Sequence, residues 1–221
     1  TGQNWSPENF NTDMLPEWQD LLVETNSTLV EAFGIGFEGE KPEGTEEDGY
    51  WQLLWNSKED AEAGWETWEG YDKTADWAEA NADILACGSK ADTFSFDAYV
   101  RRSRDGLGTF DLTAFSSEYQ FCAYNEGQGV DELVSVIDDF EDWLVSDENS
   151  LDSPYTYVVL APDYETEEFD LAWGNFHQSK EMREAGLANF LDTAPEIQEA
   201  FDKVLSCQEL NGFNSGQIPL I

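Results

Sequence analysis

Tyr50-Trp-Gln-Leu-Leu-Trp55 and Tyr155-Thr-Tyr-Val-Val-Leu160 are short runs of aromatic, aliphatic and β-branched residues. Turn residues precede each: Asp48-Gly49 in one case and Ser153-Pro154 in the other. Both read as strands. An offset of 105 places one on the other, and the same shift brings Trp68 onto Trp173 and Tyr71 onto Phe176. Further on, Ile84-Leu-Ala-Cys87 resembles Val204-Leu-Ser-Cys207, with Phe94 and Phe213 following at similar distances. Reaching Cys207 takes extra residues near Leu191-Asp-Thr-Ala-Pro195, where a further helical segment is expected to start. The order of matches predicts an internal duplication, with repeats at 1–105 and 106–221.

The second repeat is the fuller one. Phe115–Tyr124 alternates as a strand, Asn125-Glu-Gly-Gln-Gly129 is a turn, and Val130, Leu133, Val134, Ile137, Phe140 and Leu144 recur at helical spacing. Asp131 and Glu132 sit in that helix's first turn, where the dipole favours negative charge. The Tyr155 strand comes next, then a helix with Phe169, Trp173 and Phe176 on one face, and finally the Cys207–Phe213 region. The pattern is β-α-β-α-β. The first repeat keeps a helix around Trp18, Leu21 and Leu22, the Tyr50 strand, a Trp68 helix and a Thr93–Val100 strand. Its opening strand is missing or degraded into Thr1–Asn9, and Val100–Phe110 is the linker.

The chain of 221 residues has a formal charge of -38, from 48 acidic and 10 basic residues. Charge that high is typical of disordered chains, which are poor in aromatics. Here nine Trp, eight Tyr and fourteen Phe predict a folded core with its acids outside. Such a surface repels phosphate backbones and anionic lipids, which excludes nucleic acid and membrane insertion as partners. It attracts divalent cations and suits a marine or halophilic medium. No apolar run approaches the length of a membrane span. A start at Thr1 fits removal of a secretory signal and equally removal of an initiator Met before a small residue; an extracellular or periplasmic location is expected ahead of a cytoplasmic one. Asn4-Trp-Ser6 and Asn26-Ser-Thr28 match the N-glycosylation pattern, which also arises by chance. Cys87, Cys122 and Cys207 form no C-x-x-C pair. An odd count fits either one disulfide with a free thiol or three buried thiols; in the first case Cys122, which opens the second repeat, pairs with Cys207, which closes it, and Cys87 has no partner.

Tandem copies with helices on one side of a mainly antiparallel sheet resemble the ferredoxin-like units of the dimeric α/β-barrel superfamily. The resemblance covers the architecture of most of the chain. It implies an α+β fold in which two ferredoxin-like repeats pack sheet to sheet as a pseudo-dimeric barrel around a cavity. The superfamily includes monooxygenases of antibiotic biosynthesis, haem-degrading enzymes and proteins of unknown role. Its haem-degrading members bring an Asn, a Trp and a His together. This chain supplies Trp173 and His177, spaced one helical turn apart, and offers no assigned Asn.

Candidate sites are few. Gly34-Ile-Gly-Phe-Glu-Gly39 satisfies G-x-G-x-x-G, but acid-rich residues follow it, so it reads as a flexible connector. His177 is the sole histidine, so any catalytic relay would pass through it, with Trp173 and Tyr71 beside it. A partly buried, hydrogen-bonded His is the plainer reading, and Asp72 holds the matching place in the first repeat. Trp68 and Trp173 either stack a ligand or form a core stripe. Arg101, Arg102 and Arg104 are the one concentration of positive charge, suited to a carboxylate or phosphate or to nearby acids. Asn125 opens a turn whose free N–H groups could meet an anion. The acidic runs fit no twelve-residue calcium loop, and neither a metal site nor a cofactor is expected. The functional expectation is a binding or assembly protein that acts on a second copy or another protein. The alternatives are a cofactor-independent oxygenase or haem-processing enzyme, and a cation-binding surface component.

Overall fold

The computed structural model describes residues 2–41, 43–45, 47–86, 90–100, 110–149 and 154–220. The fold is mixed α+β, with a curled antiparallel sheet and helices. In chain order the elements are α1 (Pro7–Asn9), a π-helical turn (Phe10–Met14), α2 (Leu15–Glu24), β1 (Glu31–Phe37), β2 (Gly49–Leu54), α3 (Lys58–Glu69), α4 (Asp72–Asn81), a 3-10 turn (Lys90–Asp92) and β3 (Phe96–Tyr99). There follow β4 (Phe115–Tyr124), α5 (Val130–Leu144), β5 (Tyr155–Pro162), β6 (Leu171–His177), α6 (Lys180–Thr193), α7 (Pro195–Val204), β7 (Leu205–Cys207) and β8 (Asn211–Ile218). The chain forms two compact units, one of Thr1–Phe94 with Ser215–Ile221 and one of Ser95–Asn214.

In the first unit β1 and β2 form a hairpin, and β8 lies on the other side of β1. Helices α2 and α4 supply Leu15, Trp18, Leu21, Leu22 and Trp77, which pack with Ala32 and Ile218 into one core. Trp18 leans on Trp51 at 4.8 Å, and Trp68 meets Trp77 edge-on at 5.7 Å.

In the second unit the strand order is β8-β4-β6-β5-β3, with β7 on the upper end of β4. The period of two puts Leu171, Trp173, Asn175 and His177 on one face and Ala172, Gly174 and Phe176 on the other. The first face packs under α5 and α7 through Leu133, Ile137, Phe140, Ile197 and Val204. The second is aromatic too, with Phe96, Tyr119, Phe121 and Phe176 around Val158 and Leu160. Burial there pushes the Tyr119 hydroxyl well above its ordinary pKa. A Cβ at Gly174 would stand 3.0 Å from Tyr119 Cε1 and Val158 Cγ1, so a larger residue there requires these side chains to shift.

Three expectations are corrected. Gly34–Phe37 is strand rather than connector: it pairs with Gly49–Trp51, and the hydrogen-bonded hairpin overrides the local glycine signal. Leu171–His177 is strand rather than helix, because β4 and β5 both pair with it and its apolar residues alternate as well as recur at helical spacing. The Tyr50 and Tyr155 runs are both strands, but β2 is the second strand of its hairpin and β5 the first of its own. The 105-residue offset therefore aligns unlike elements, and Trp68 lies on a helix where Trp173 lies on a strand.

Cys122 and Cys207 face each other across β4 and β7 and are disulfide-bonded, closing a span of 85 residues. Cys87 lies outside the described residues. Closing a loop of that size stabilises a chain by about 4 kcal/mol. Reduction, or the double change Cys122→Ser and Cys207→Ser, is expected to lower Tm by roughly 10 °C in a thermal melt; an unchanged Tm would contradict a stabilising clasp.

Candidate functional site

The helix-side face of the second sheet builds a site from three cross-strand rows. Ser116, His177 and Tyr155 form the first, Glu118, Asn175 and Tyr157 the second, and Gln120, Trp173 and Val159 the third. Trp173 stacks on Tyr157 with centroids 4.8 Å apart and planes 7° from parallel, edged by Phe140 and Phe201. Asn175 Oδ1 accepts from both the Trp173 indole N–H, at 3.0 Å, and the Tyr155 hydroxyl, at 2.7 Å. The Tyr157 hydroxyl donates to Glu141 at 2.7 Å.

Beyond β6 the chain turns at once into α6. The Ser179 hydroxyl caps it by accepting from the Met182 N–H, and this directs Arg183 and Gly186 back onto the sheet. Arg183 is only 8% exposed; its Nε donates to Glu118 at 2.9 Å and its Nη1 to Ser116 Oγ at 2.7 Å. His177 is 7% exposed and its ring lies 4.8 Å from that of Tyr155. A Cβ on Gly186 would stand 3.0 Å from His177 Cε1. Burial first, and the Arg183 charge second, lower the His177 pKa to about 4. The imidazole is neutral at pH 7, and its buried Nδ1 has no hydrogen-bond partner.

A Ser-His-Asp relay needs the base bonded on both nitrogens, which this ring is not. Nor does a ring so enclosed leave space for a haem plane unless α6 moves. Among the described residues no group of three or more His, Cys, Asp or Glu is placed to hold a metal ion. No helix among them is long and apolar enough to cross a membrane.

Trp173 and His177 share one face of β6, so two of the predicted residues come together. Tyr71 belongs to the first unit, at the α3–α4 junction, where its hydroxyl donates to Glu24 at 2.7 Å and Lys73 lies over its ring at 5.7 Å. The Lys73 and Tyr71 hydrogen bonds hold the Glu24 carboxyl below its usual range. Trp68 packs in the first unit's core. The Asn125 side chain ties the turn to α7 and β7: its Nδ2 donates to Asp202 and Lys203 carbonyls at 3.0 Å, and its Oδ1 accepts from Ser206 at 2.6 Å. Arg101, Arg102 and Arg104 lie outside the described residues.

Ser116, Glu118, Asn175 and Arg183 escaped the sequence reading; a signal exists at an offset of 122 for the turn and helix that carry Arg183. Trp51, Ser57-Lys-Glu59 and Glu62-Ala-Gly64 match Trp173, Ser179-Lys-Glu181 and Glu184-Ala-Gly186. Ser57 caps α3 as Ser179 caps α6. A Cβ on Gly64 would meet Trp55 Nε1 at 2.9 Å, much as one on Gly186 would meet His177. At this offset Trp55 aligns with His177 and Ala61 with Arg183. The polar cluster is thus particular to the second unit. No protein-family model, curated protein or solved structure matches the chain.

Arg183→Ala would leave the Glu118 carboxylate buried without its cation, at an expected loss of about 3 kcal/mol in urea unfolding. Replacing both residues with apolar ones of similar size should restore most of it, and a single variant as stable as the parent would contradict the pairing. For His177 the unfolded chain binds a proton near pH 6.5 and the folded chain only near pH 4. Its contribution is therefore complete above pH 6.5 and is lost as pH falls to about 4. It amounts to about 3 kcal/mol. His177→Phe should flatten the difference in unfolding free energy between pH 7.5 and pH 4.5, and an unchanged pH profile would contradict the assignment.

Proposed function

We propose that the chain is a non-catalytic binding or assembly protein, secreted or salt-adapted, built from two ferredoxin-like repeats of the dimeric α/β-barrel type. The observation that carries the functional reading is the state of its sole histidine: enclosed, neutral, bonded to neither nucleophile nor acid, and pressed against Gly186. The one cation beside it is committed to Glu118 and Ser116. What the chain offers to partners is its acidic surface. The Cys122–Cys207 disulfide supports an oxidising location, where such bonds persist.

Several features support the architectural reading. In the second unit β4-α5-β5-β6-α6/α7-β8, ordered β8-β4-β6-β5, follows the β-α-β-β-α-β plan. In the first, α2-β1-β2-α3-α4 follows the same plan without its opening strand. Each repeat's last strand lies beside the other's second strand: β3 beside β5 in one unit, β8 beside β1 in the other. The matched segments at offset 122 agree with this frame, in which β2 answers to β6 and α3 to α6.

A second reading, an oxygenase or haem-processing enzyme, is favoured by one observation. Asn175, Trp173 and His177 lie on one face of β6, with Tyr155 bonded to the Asn. Haem titration separates the readings. The binding-protein reading expects no Soret shift, whereas a saturable shift abolished by His177→Ala would replace it with the enzymatic one. For salt adaptation, Tm is expected to rise by several degrees between 0.1 M and 2 M NaCl as self-repulsion is screened; a flat or falling Tm would count against it.

A further inference from the structure

Of the two glycosylation tripeptides, the geometry points to Asn26 as an N-glycan acceptor, an inference that rests on the extracytoplasmic reading above. Asn26 follows the α2 C-cap, Thr25, in the left-handed conformation with φ 50°. Its N–H donates to the Val23 carbonyl at 3.1 Å, and that of Ser27 donates to Leu22 at 2.9 Å, which closes the helix end. This termination accounts for an Asn at the position, since Asn tolerates that backbone. It does not account for what surrounds it. Asn26 is exposed, and among the described residues its carboxamide makes no hydrogen bond. Two large apolar side chains near it face water, Val23 at 59% and Val30 at 44% exposure. A sugar chain rooted at Asn26, three residues after Val23 and four before Val30, would be placed to shield these side chains from water. Neutral glycan would also add hydration without adding to the charge of -38.

Asn4 is the less suitable acceptor. Its N–H donates to Asp83 at 2.8 Å, its carbonyl accepts from Asn9 Nδ2 at 2.8 Å, and Trp5 beside it packs on Phe10 at 5.7 Å. Asn4 is exposed as Asn26 is, but the third residue of its tripeptide, Ser6, is a half-buried N-cap, whereas the exposed Thr28 makes a side-chain bond to the Asp60 carbonyl at 3.2 Å.

The donor is a lipid pyrophosphate-linked oligosaccharide, supplied with its transferase by the secretory compartment. The C1–O bond to pyrophosphate breaks, a C1–Nδ2 bond to Asn26 forms, lipid pyrophosphate leaves, and a base of the transferase takes the amide proton.

The test is intact mass of the full chain secreted from a eukaryotic cell behind a heterologous signal peptide. It is measured with and without peptide N-glycosidase, and after alkylation of free thiols. The expected result is a glycosidase-sensitive mass shift, lost in Asn26→Gln and kept in Asn4→Gln. Thr28→Ala, which retains Asn26 in its turn, should lose the shift as well. A shift that persists in both Asn26→Gln and Thr28→Ala overturns the assignment. Secreted chain with the Cys122–Cys207 bond formed and no shift overturns the glycan while leaving the extracytoplasmic reading standing. Chain retained in the cell with both thiols alkylated overturns that reading, and the glycan with it.

Discussion

Tyr157 lying flat on Trp173 is the contact around which the second unit is assembled. The two rings come from adjacent strands, so they form only when β5 and β6 pair in register. Phe140 and Phe201 then close on their edges from α5 and α7, which seats both helices on one sheet face. Contacts between aromatic edges and faces add roughly 1 kcal/mol each to the area they bury. A chain with so many like charges needs that surplus, because self-repulsion works against every compact state.

The same sheet face carries a deeply buried charge pair. Arg183 and Glu118 sit where the first unit has alanine and no facing strand. Removing two ions from water is costly, and their attraction repays it only with good geometry and further hydrogen bonds, which Ser116 helps to supply. The resulting field also explains why His177 stays neutral. A proton on its ring would be both poorly solvated and next to a guanidinium. The segments that match at the offset of 122 therefore have different surroundings, one filled with indole and the other with a polar cluster.

Much of this was legible in the sequence. Phe115–Tyr124 and Val130–Leu144 follow from strict alternation and helical spacing, while the Cys122–Cys207 bond is one of two alternatives that an odd cysteine count leaves open. What misled was β6. Leu171–His177 has aromatic residues that satisfy two periods at once, and only the flanking strands decide between them. Taking it for a helix displaced the repeat by one strand. It also hid Asn175, which on a strand shares the face of Trp173 and His177. Arg183 was invisible for a different reason: a charged residue on an acidic helix looks solvated until the glycine three residues later lets the helix settle onto the sheet.

The disulfide is chemically lopsided. Cys122 is sealed in the core, while Cys207 stands in solvent at the edge strand β7. An incoming thiolate can reach only the outer sulfur, so exchange proceeds through a mixed disulfide on Cys207 with Cys122 expelled as the leaving thiolate. That anion would be born in the apolar cluster that includes Leu133, Leu171 and Leu205, away from water. The clasp is consequently protected by the medium around its inner half, and opens readily only after α7 and β7 have lifted away.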